Sequence, residues 1–197
     1  DHGRYIITSQ NPVTGELVSN SIAVDLKDVD MILSCDEISV GENATISVTL
    51  PTDATGNVTA AINGKTYVSQ LNNGKANIII PDLASGNYTA HVTYSGDNNY
   101  NHATGNVSIS VSKIDALIDI EDDIITVGEN ATVIVILPGD ATGDVRIGNE
   151  IVPLKNGTAS AILTDLPVGI TTIPVTYSGD GKYNPIESSA DVVVNDV

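Results

Sequence analysis

Apolar and polar side chains alternate along most of this chain. The alternation is regular in residues 44–50, 88–94 and 107–112. A period of two is typical of a strand that has one face in a core and the other in water. The intervening stretches are rich in Gly, Pro, Asn and Asp, which favour turns. The pattern therefore predicts an all-β chain built from half-buried antiparallel sheets.

About seven short strands are predicted in each half of the sequence, which is typical of a β-sandwich. The predicted strands of the first half are 31–35, 43–50, 57–62, 66–70, 75–80, 87–94 and 105–112. Those of the second half are 117–121, 130–137, 144–147, 150–154, 158–164, 170–177 and 188–195. Asn72-Asn73-Gly74 and Asn156-Gly157 are the strongest turn signals, because Asn and Gly tolerate a positive φ.

The two halves are copies of one repeat. Val40–Thr45 recurs as Val127–Thr132, and 127 − 40 gives a spacing of 87 residues. Tyr94–Asn101 recurs as Tyr177–Asn184, where 177 − 94 gives 83. The second copy therefore lacks four residues (87 − 83), which we expect to be missing from the hairpin that turns at Asn63-Gly64 in the first copy.

A tyrosine corner is predicted in the first copy, where Asp82 and a turn precede Tyr88. Thr171 takes the place of this Tyr in the second copy, so we expect the corner bond to be lost there. Asp1–Tyr5 repeats the acidic residue, the turn and the Tyr ahead of another predicted strand.

Five motifs occur in the same order in both copies. They are VGENAT, LPxDATG, an Asn–Gly pair, DLxxG and a loop that begins YSGD and ends YN. Over about residues 28–197 the chain resembles the immunoglobulin-like (Ig-like) repeats of adhesin-like cell-surface proteins of methanogenic archaea and bacteria. The resemblance implies an extracellular, cell-surface array of β-sandwiches, and it implies no catalytic residues and no particular ligand.

Three segments follow: a β-hairpin at 1–27, a first Ig-like sandwich at 28–113 and a second at 114–197. The predicted fold is therefore all-β, with tandem Ig-like β-sandwiches after an N-terminal β-hairpin. The sandwiches join through Ser112–Asp115, and so short a linker without Gly or Pro favours a stiff rod. The sequence starts at Asp1 without Met or a signal segment, which favours a processed chain, an excised chain or a fragment.

Residues 1–27 read as the last two strands of an incomplete Ig-like module. A lone hairpin is marginally stable in water, so its apolar residues should pack on something. It can belong to a longer chain, fold back on a sheet edge of the first sandwich, or complete a sandwich in a neighbouring copy. The assembly candidates are Tyr5, Ile7, Ile22 and Val24.

Charge excludes some classes of partner. There are 25 acidic and 8 basic residues, for a net charge of −17, which disfavours nucleic acid and anionic membranes. No apolar run approaches the roughly 18 residues of a membrane helix, so we expect a protein that is not membrane-embedded. The single Cys, Cys35, reads as a small apolar filler.

Two kinds of surface site are candidates. Calcium takes carboxylate and carbonyl oxygens, so weak calcium sites are considered at Asp97, Asp180, Asp122 and Asp123, against the alternative of solvated loops. No other cofactor is expected. Six N-x-[ST] sequons are glycosylation candidates: Asn43, Asn57, Asn87, Asn106, Asn130 and Asn156.

No motif for an enzyme nucleophile is present, so a non-enzymatic structural or adhesion segment of an extracellular surface protein is predicted. Two alternatives remain: a subunit of a surface filament in which residues 1–27 complete a neighbour's sandwich, and a carbohydrate- or protein-binding module. The expected partners are other copies of the chain or adjacent Ig-like modules, and a host or partner-cell surface.

Overall fold

The computed structural model of the protein describes residues 3–196 and shows an all-β chain. Two compact units divide between Val111 and Ser112. The first unit contains a separate hairpin and one sandwich, and the second contains another sandwich. No helix that could span a membrane occurs within the described range. The predicted fold class is confirmed.

The hairpin consists of β1 (Gly3–Gln10) and β2 (Leu17–Val24), paired antiparallel from Gly3–Val24 to Gln10–Leu17. Asn11 shapes its turn, because the Oδ1 atom accepts hydrogen bonds from the backbone N–H groups of Val13 and Thr14. The hairpin forms a two-stranded sheet of its own and joins neither sheet of the first sandwich. The fold-back on a sheet edge is therefore not observed within residues 3–196. The first two residues of the corner expected at Asp1–Tyr5 lie outside the described residues.

The first sandwich packs a three-stranded sheet, β3-β5-β8, against a five-stranded sheet, β4-β10-β9-β6-β7. Its strands are β3 (Ile32–Cys35), β4 (Ile38–Ser39), β5 (Ala44–Thr49), β6 (Asn57–Ile62), β7 (Lys65–Gln70), β8 (Lys75–Ile80), β9 (Gly86–Tyr94) and β10 (Ala103–Ser112).

The second sandwich repeats this topology, with sheets β11-β13-β16 and β12-β18-β17-β14-β15. Its strands are β11 (Asp119–Glu121), β12 (Asp123–Thr126), β13 (Ala131–Ile136), β14 (Asp144–Ile147), β15 (Glu150–Pro153), β16 (Thr158–Leu163), β17 (Gly169–Tyr177) and β18 (Ile186–Asn195).

Each core lies between its two sheets and is formed by the apolar positions of the alternating strands. Ala44, Ile46 and Val48 of β5 are buried, and the intervening Thr and Ser residues point away from the core. No polar or charged residue is classed as buried within the described range. The predicted in-and-out alternation is thus confirmed, and the hydrophobic effect supplies the main stabilisation of both cores.

Each sandwich has eight strands rather than seven, which corrects the sequence prediction. The extra strands are β4 and β12, and each follows a short strand of the opposite sheet after a brief break. β12 pairs parallel to β18, so Asp123–Thr126 lies beside Val192–Asn195. The first strand of each module therefore splits between both sheets. Alternation could not reveal this split, since acidic residues occupy the break.

The four missing residues come from the expected hairpin. β6 and β7 have six residues each, whereas β14 and β15 have four each. Both arms lost two residues, so the cross-strand register and the facing of the remaining side chains survive. The Asn73-Gly74 and Asn156-Gly157 turns have positive φ at both residues, as predicted.

Candidate functional site

The repeated YSGD loop joins β9 to β10 and β17 to β18, and its Asp is the centre of a hydrogen-bond network. In the first module, Asp97 Oδ2 accepts bonds from the backbone N–H and the hydroxyl of Thr55, at 2.8 and 3.0 Å. Its Oδ1 accepts bonds from the backbone N–H groups of Asn99 and Tyr100, both at 2.8 Å. One carboxylate therefore ties its own turn to the DATG loop.

The same network is present in the second module. Asp180 Oδ2 accepts bonds from the N–H and hydroxyl of Thr142 at 2.8 and 3.0 Å. The backbone N–H groups of Lys182 and Tyr183 donate to Oδ1, both at 2.8 Å. We refer to Asp97 or Asp180 with these partners as the acidic lock of each module.

Tyrosines extend each acidic lock into the core. The Tyr100 hydroxyl donates to Asp53 Oδ1 at 2.8 Å, and the Tyr183 hydroxyl donates to Asp140 Oδ1 at 2.7 Å. Both rings are buried. The loop is thus held by its Asp on one side and by a buried ring on the other.

The loop also binds the segment that leads into its own module. The Lys27 N–H donates to the Asn99 carbonyl, and the Asn101 N–H donates to the Lys27 carbonyl, both at 2.9 Å. Asn101 Nδ2 donates to Asp28 Oδ1 at 2.8 Å. The point at which the chain enters the first sandwich is therefore fixed by backbone and side-chain hydrogen bonds from the loop.

The second module fixes its incoming chain in the same way. Ile114 exchanges backbone bonds of 2.9 Å with Lys182 and Asn184. Asn184 Nδ2 donates to Asp115 Oδ1 at 2.8 Å. The loop that begins YSGD and ends YN therefore recurs in both copies for a physical reason. Its Asp holds the turn, its second Tyr fills the core and its Asn holds the incoming chain.

The acidic locks lower the pKa values of their carboxyl groups. Burial alone would raise the pKa of Asp97, but the N–H groups of Thr55, Asn99 and Tyr100 and the Thr55 hydroxyl outweigh it and lower the pKa to about 2. The same balance between burial and hydrogen bonds lowers the pKa of Asp180. Burial and then the neighbouring Asp97 raise the pKa of Tyr94 to about 12. The lock carboxylate is therefore ionised, and the neighbouring Tyr94 phenol is neutral.

These contacts bear on the calcium candidates. All four bonds to each lock carboxylate come from protein donors, so its two oxygens already have partners. Asp122 lies in the break between β11 and β12, and Asp123 is the first residue of β12. Their oxygens accept backbone N–H bonds from Asp191, Ile124 and Thr132. No group of three or more His, Cys, Asp or Glu residues that could hold a metal occurs in the described part of the chain. Calcium binding remains a prediction.

The tyrosine corner is present in the first module. The Tyr88 hydroxyl donates to the Ala84 carbonyl at 2.9 Å, across the turn where Asp82 has a φ of 57°. Thr171 occupies the equivalent position in the second module, and a threonine is too short to reach across the same turn. The predicted corner is therefore confirmed where the Tyr is present.

The glycosylation candidates all lie at the surface. Asn57, Asn87 and Asn106 are on strands, Asn156 is in a turn, and the remaining two directly precede β5 and β13. The six exposed residues are Asn43, Asn57, Asn87, Asn106, Asn130 and Asn156. One of them already has a partner, because Asn106 Oδ1 lies 2.9 Å from His91 Nδ1. Glycosylation remains a prediction.

The assembly candidates lie on the hairpin. Tyr5, Ile7 and Ile22 are 44, 58 and 50% exposed, and Val24 pairs with Gly3. Because Tyr5 pairs with Ile22, these two residues share one face of the hairpin with Ile7. Cys35, by contrast, packs against the first core, where burial raises the pKa of its thiol.

Sequence reasoning missed the residues that receive the loop. Thr55 and Thr142 bind the lock carboxylates, Asp53 and Asp140 accept the tyrosine hydroxyls, and Asp28 with its counterpart Asp115 anchors the Asn. The sequence feature that pointed to these residues was the DATG motif, which recurs together with the YSGD loop in both copies. Co-occurrence could have suggested contact, although the pairing of donor and acceptor required the structure.

Residues 33–112 match the family model of the bacterial Ig-like domain (group 3). Over these residues the first module is similar to bacterial Ig-like domains. The match covers nearly the whole of the segment assigned to this module, and it confirms the family resemblance there. The second module repeats the strand order and the sheet topology of this Ig-like domain.

Solved structures of tandem modules are also similar to the chain. The titin domains Z1Z2 in complex with telethonin are 13% identical with a TM-score of 0.45, covering 88% of this chain and 100% of that chain. The fibronectin(III)-like modules of Clostridium thermocellum CbhA are 12% identical with a TM-score of 0.34, covering 84% of this chain and 95% of that chain. No curated protein matches the sequence. Likeness at this level assigns no function to the Ig-like modules described above.

Proposed function

We propose that the chain is a non-enzymatic, load-bearing segment of an extracellular surface protein, in which Ig-like modules act as spacers. The observation that carries this proposal is the parallel pairing of β12 with β18 in the second module. β12 lies near the start of the module and β18 is its last strand. Their pairing therefore connects the incoming chain to the outgoing chain.

The direction of the strands determines how a pull acts on this pairing. Ile114 is held at the YSGD-loop end of the module, and Val194 lies opposite Gly169 at the other end. A pull on the chain therefore drives β12 and β18 in opposite directions along their length. The hydrogen bonds between them lie across the pull, so they are loaded in shear and must break together rather than one by one.

The separation of the two ends makes each module a spacer. In the first module the chain enters beside Tyr100 and leaves after Val111, which pairs with Gly86 at the far end of β9. A strand rises about 3.3 Å per residue, so a nine-residue strand such as β9 spans about 30 Å. Each module therefore moves the chain along by roughly the length of a strand.

Surface chemistry supports an extracellular location. The net charge of −17 keeps the chain soluble and repels other acidic chains. The exposed sequons would accept glycans on a secreted protein. These features support a surface spacer. No comparable observation supports recognition of a host, a partner cell or a carbohydrate.

The filament alternative depends on the exposed apolar face of the hairpin. Strand donation needs an acceptor sandwich with a vacant strand position. Both sandwiches of this chain already contain all eight strands of the repeat within residues 3–196. A spacer is therefore favoured over a strand-exchanging filament subunit.

Single-molecule pulling of the chain from both ends tests the proposal. The Val127 N–H donates to the Asn195 carbonyl at 2.9 Å and closes the β12–β18 pairing. Val127→Pro removes this donor, whereas the matched control Val127→Ala retains it. We expect the proline variant to lower the unfolding force of the second module and the alanine variant to leave it nearly unchanged. The first module serves as a reference within each molecule. Equal forces for all three proteins would overturn the load-bearing role.

A further inference from the structure

The hairpin β1–β2 has the cross-strand register of the last two strands of both modules. Gly3 pairs with Val24, as Gly86 pairs with Val111 in the first module. Gly169 pairs with Val194 in the second module. A Gly opposite a Val thus closes the same end of all three hairpins.

The inward side chains follow the same correspondence. Two residues after the Gly, Tyr5 pairs with Ile22, as Tyr88 pairs with Ile109 in the first module. Ile109 is buried in the first core, whereas Ile22 is 50% exposed. The hairpin therefore presents to solvent a face that the first module covers with its other sheet.

The connection to the next module is also the same. Ile22 lies five residues before Lys27, and Ile109 lies five residues before Ile114. Lys27 and Ile114 each bridge to the buried Tyr of the following YSGD loop. The hairpin thus leads into the first module as β9–β10 leads into the second.

We infer that β1 and β2 are the last two strands of a further Ig-like module, and that their Tyr5–Ile7–Ile22 face binds the remaining six strands of that module. The inference stands independently of the load-bearing role, because it rests on register and side-chain facing alone. Asn20 replaces the buried Val107, so the apolar contact is concentrated at the end of the hairpin near Gly3.

A second copy of the chain is the competing occupant. The full eight-strand complement of both sandwiches leaves such a copy no vacant place for two further strands. The inference therefore predicts that the chain remains monomeric and that the hairpin amides of the chain alone exchange quickly with solvent.

Two chimeras supply the missing strands. One places residues 27–83 before Asp1, and the other places residues 114–166 there. In each chimera Tyr5 is the fifth residue after the last donor residue, Leu83 or Leu166. This is the spacing from Leu83 to Tyr88 in the first module. Two different donor segments are used so that the test does not depend on how well the core side chains of one segment fit the hairpin.

Hydrogen exchange read by mass spectrometry follows residues 5–8 and 19–22. In at least one chimera, we expect about 100-fold slower exchange than in the original chain. Ile7→Asp should abolish this protection, since Ile7 lies on the inferred binding face. The matched control Ile6→Asp, on the opposite face, should retain it.

Two outcomes would overturn the inference. One is the absence of hairpin protection in both chimeras while residues 27–196 remain protected. The other is concentration-dependent association of the original chain, measured by light scattering, that Ile7→Asp disperses and Ile6→Asp does not. The latter result would assign the face to a second copy.

Discussion

The two Ig-like modules agree closely at one end and differ at the other. At the end where the chain enters, the acidic locks of Asp97 and Asp180 repeat each bond within a few tenths of an ångström. At the end where the chain leaves, the first module has the Tyr88 corner and the second has Thr171. The comparison indicates that the fixed part of the repeat is the attachment of the incoming chain, whereas the opposite end can be held in more than one way.

Removal of a lock should have the largest effect on stability. Asp97→Ala leaves four donors without their partner, and we expect it to lower the free energy of unfolding of the first module by about 2–4 kcal/mol. Asp180→Ala should do the same to the second module. Urea unfolding followed by hydrogen exchange and mass spectrometry reports the two modules separately.

Asn98→Ala is the control for this comparison, because Asn98 is exposed in the same loop. It should change the stability of the first module by less than about 0.5 kcal/mol. If Asp97→Ala and Asn98→Ala have equal effects, the lock does not stabilise the loop.

Removal of the corner should affect the first module only. Tyr88→Phe deletes the 2.9 Å bond to the Ala84 carbonyl and should lower its free energy of unfolding by about 1 kcal/mol. Tyr67→Phe is a suitable control, since the Tyr67 hydroxyl has no hydrogen bond within residues 3–196. A corner variant as stable as this control would mean that the two modules are equivalent at their outgoing ends.

Acid should weaken both modules through their locks. The folded-state pKa of Asp97 is about 2, below the value of about 3.9 for an unfolded chain. Its contribution to stability is therefore complete above pH about 4 and falls as the pH drops toward 2. Asp97→Asn should flatten this dependence in the first module alone, which unfolding measurements across that pH range can check. An unchanged slope in the variant would exclude Asp97 as the titrating group.

The smallest effect is expected at Lys182. Its Nζ lies 2.6 Å from Asp140 Oδ2, but the two side chains are 38 and 58% exposed. Asn99 takes this position in the first module, so Lys182→Asn makes the two loops more alike. We expect a small loss of stability in the second module that diminishes at high salt, because water and salt screen an exposed ion pair. A loss that does not depend on salt would point to packing of the Lys stem on Tyr183 instead.

The sequence predicts this fold well where one face of a strand is buried. β6, β8 and β14 have their predicted bounds, because apolar alternation and Asn–Gly turns act on neighbouring residues. β4 and β12 were missed because they are short strands whose existence depends on pairing with the distant β10 and β18. Alternation within such a short segment gives too little signal.

The lock was only half predicted for a similar reason. The loop motif was evident, because it recurs in both copies. The residues that bind the loop, Thr55 at Asp97 and Asp53 at Tyr100, lie more than forty residues away in the sequence. These pairings therefore depend on how the sandwich closes. An acidic loop viewed without these donors resembles a cation site, which explains why calcium was a candidate.

Calcium titration of the intact chain, followed by NMR of the backbone amides, tests most directly whether the acidic loops are structural locks. The amides of Thr55, Asn99 and Tyr100 and their counterparts in the second module should keep their shifts. Melting temperatures with calcium and with a chelator should be equal. Saturable shifts of these amides, together with a higher melting temperature in calcium, would contradict the structural role and assign the loops to cation binding.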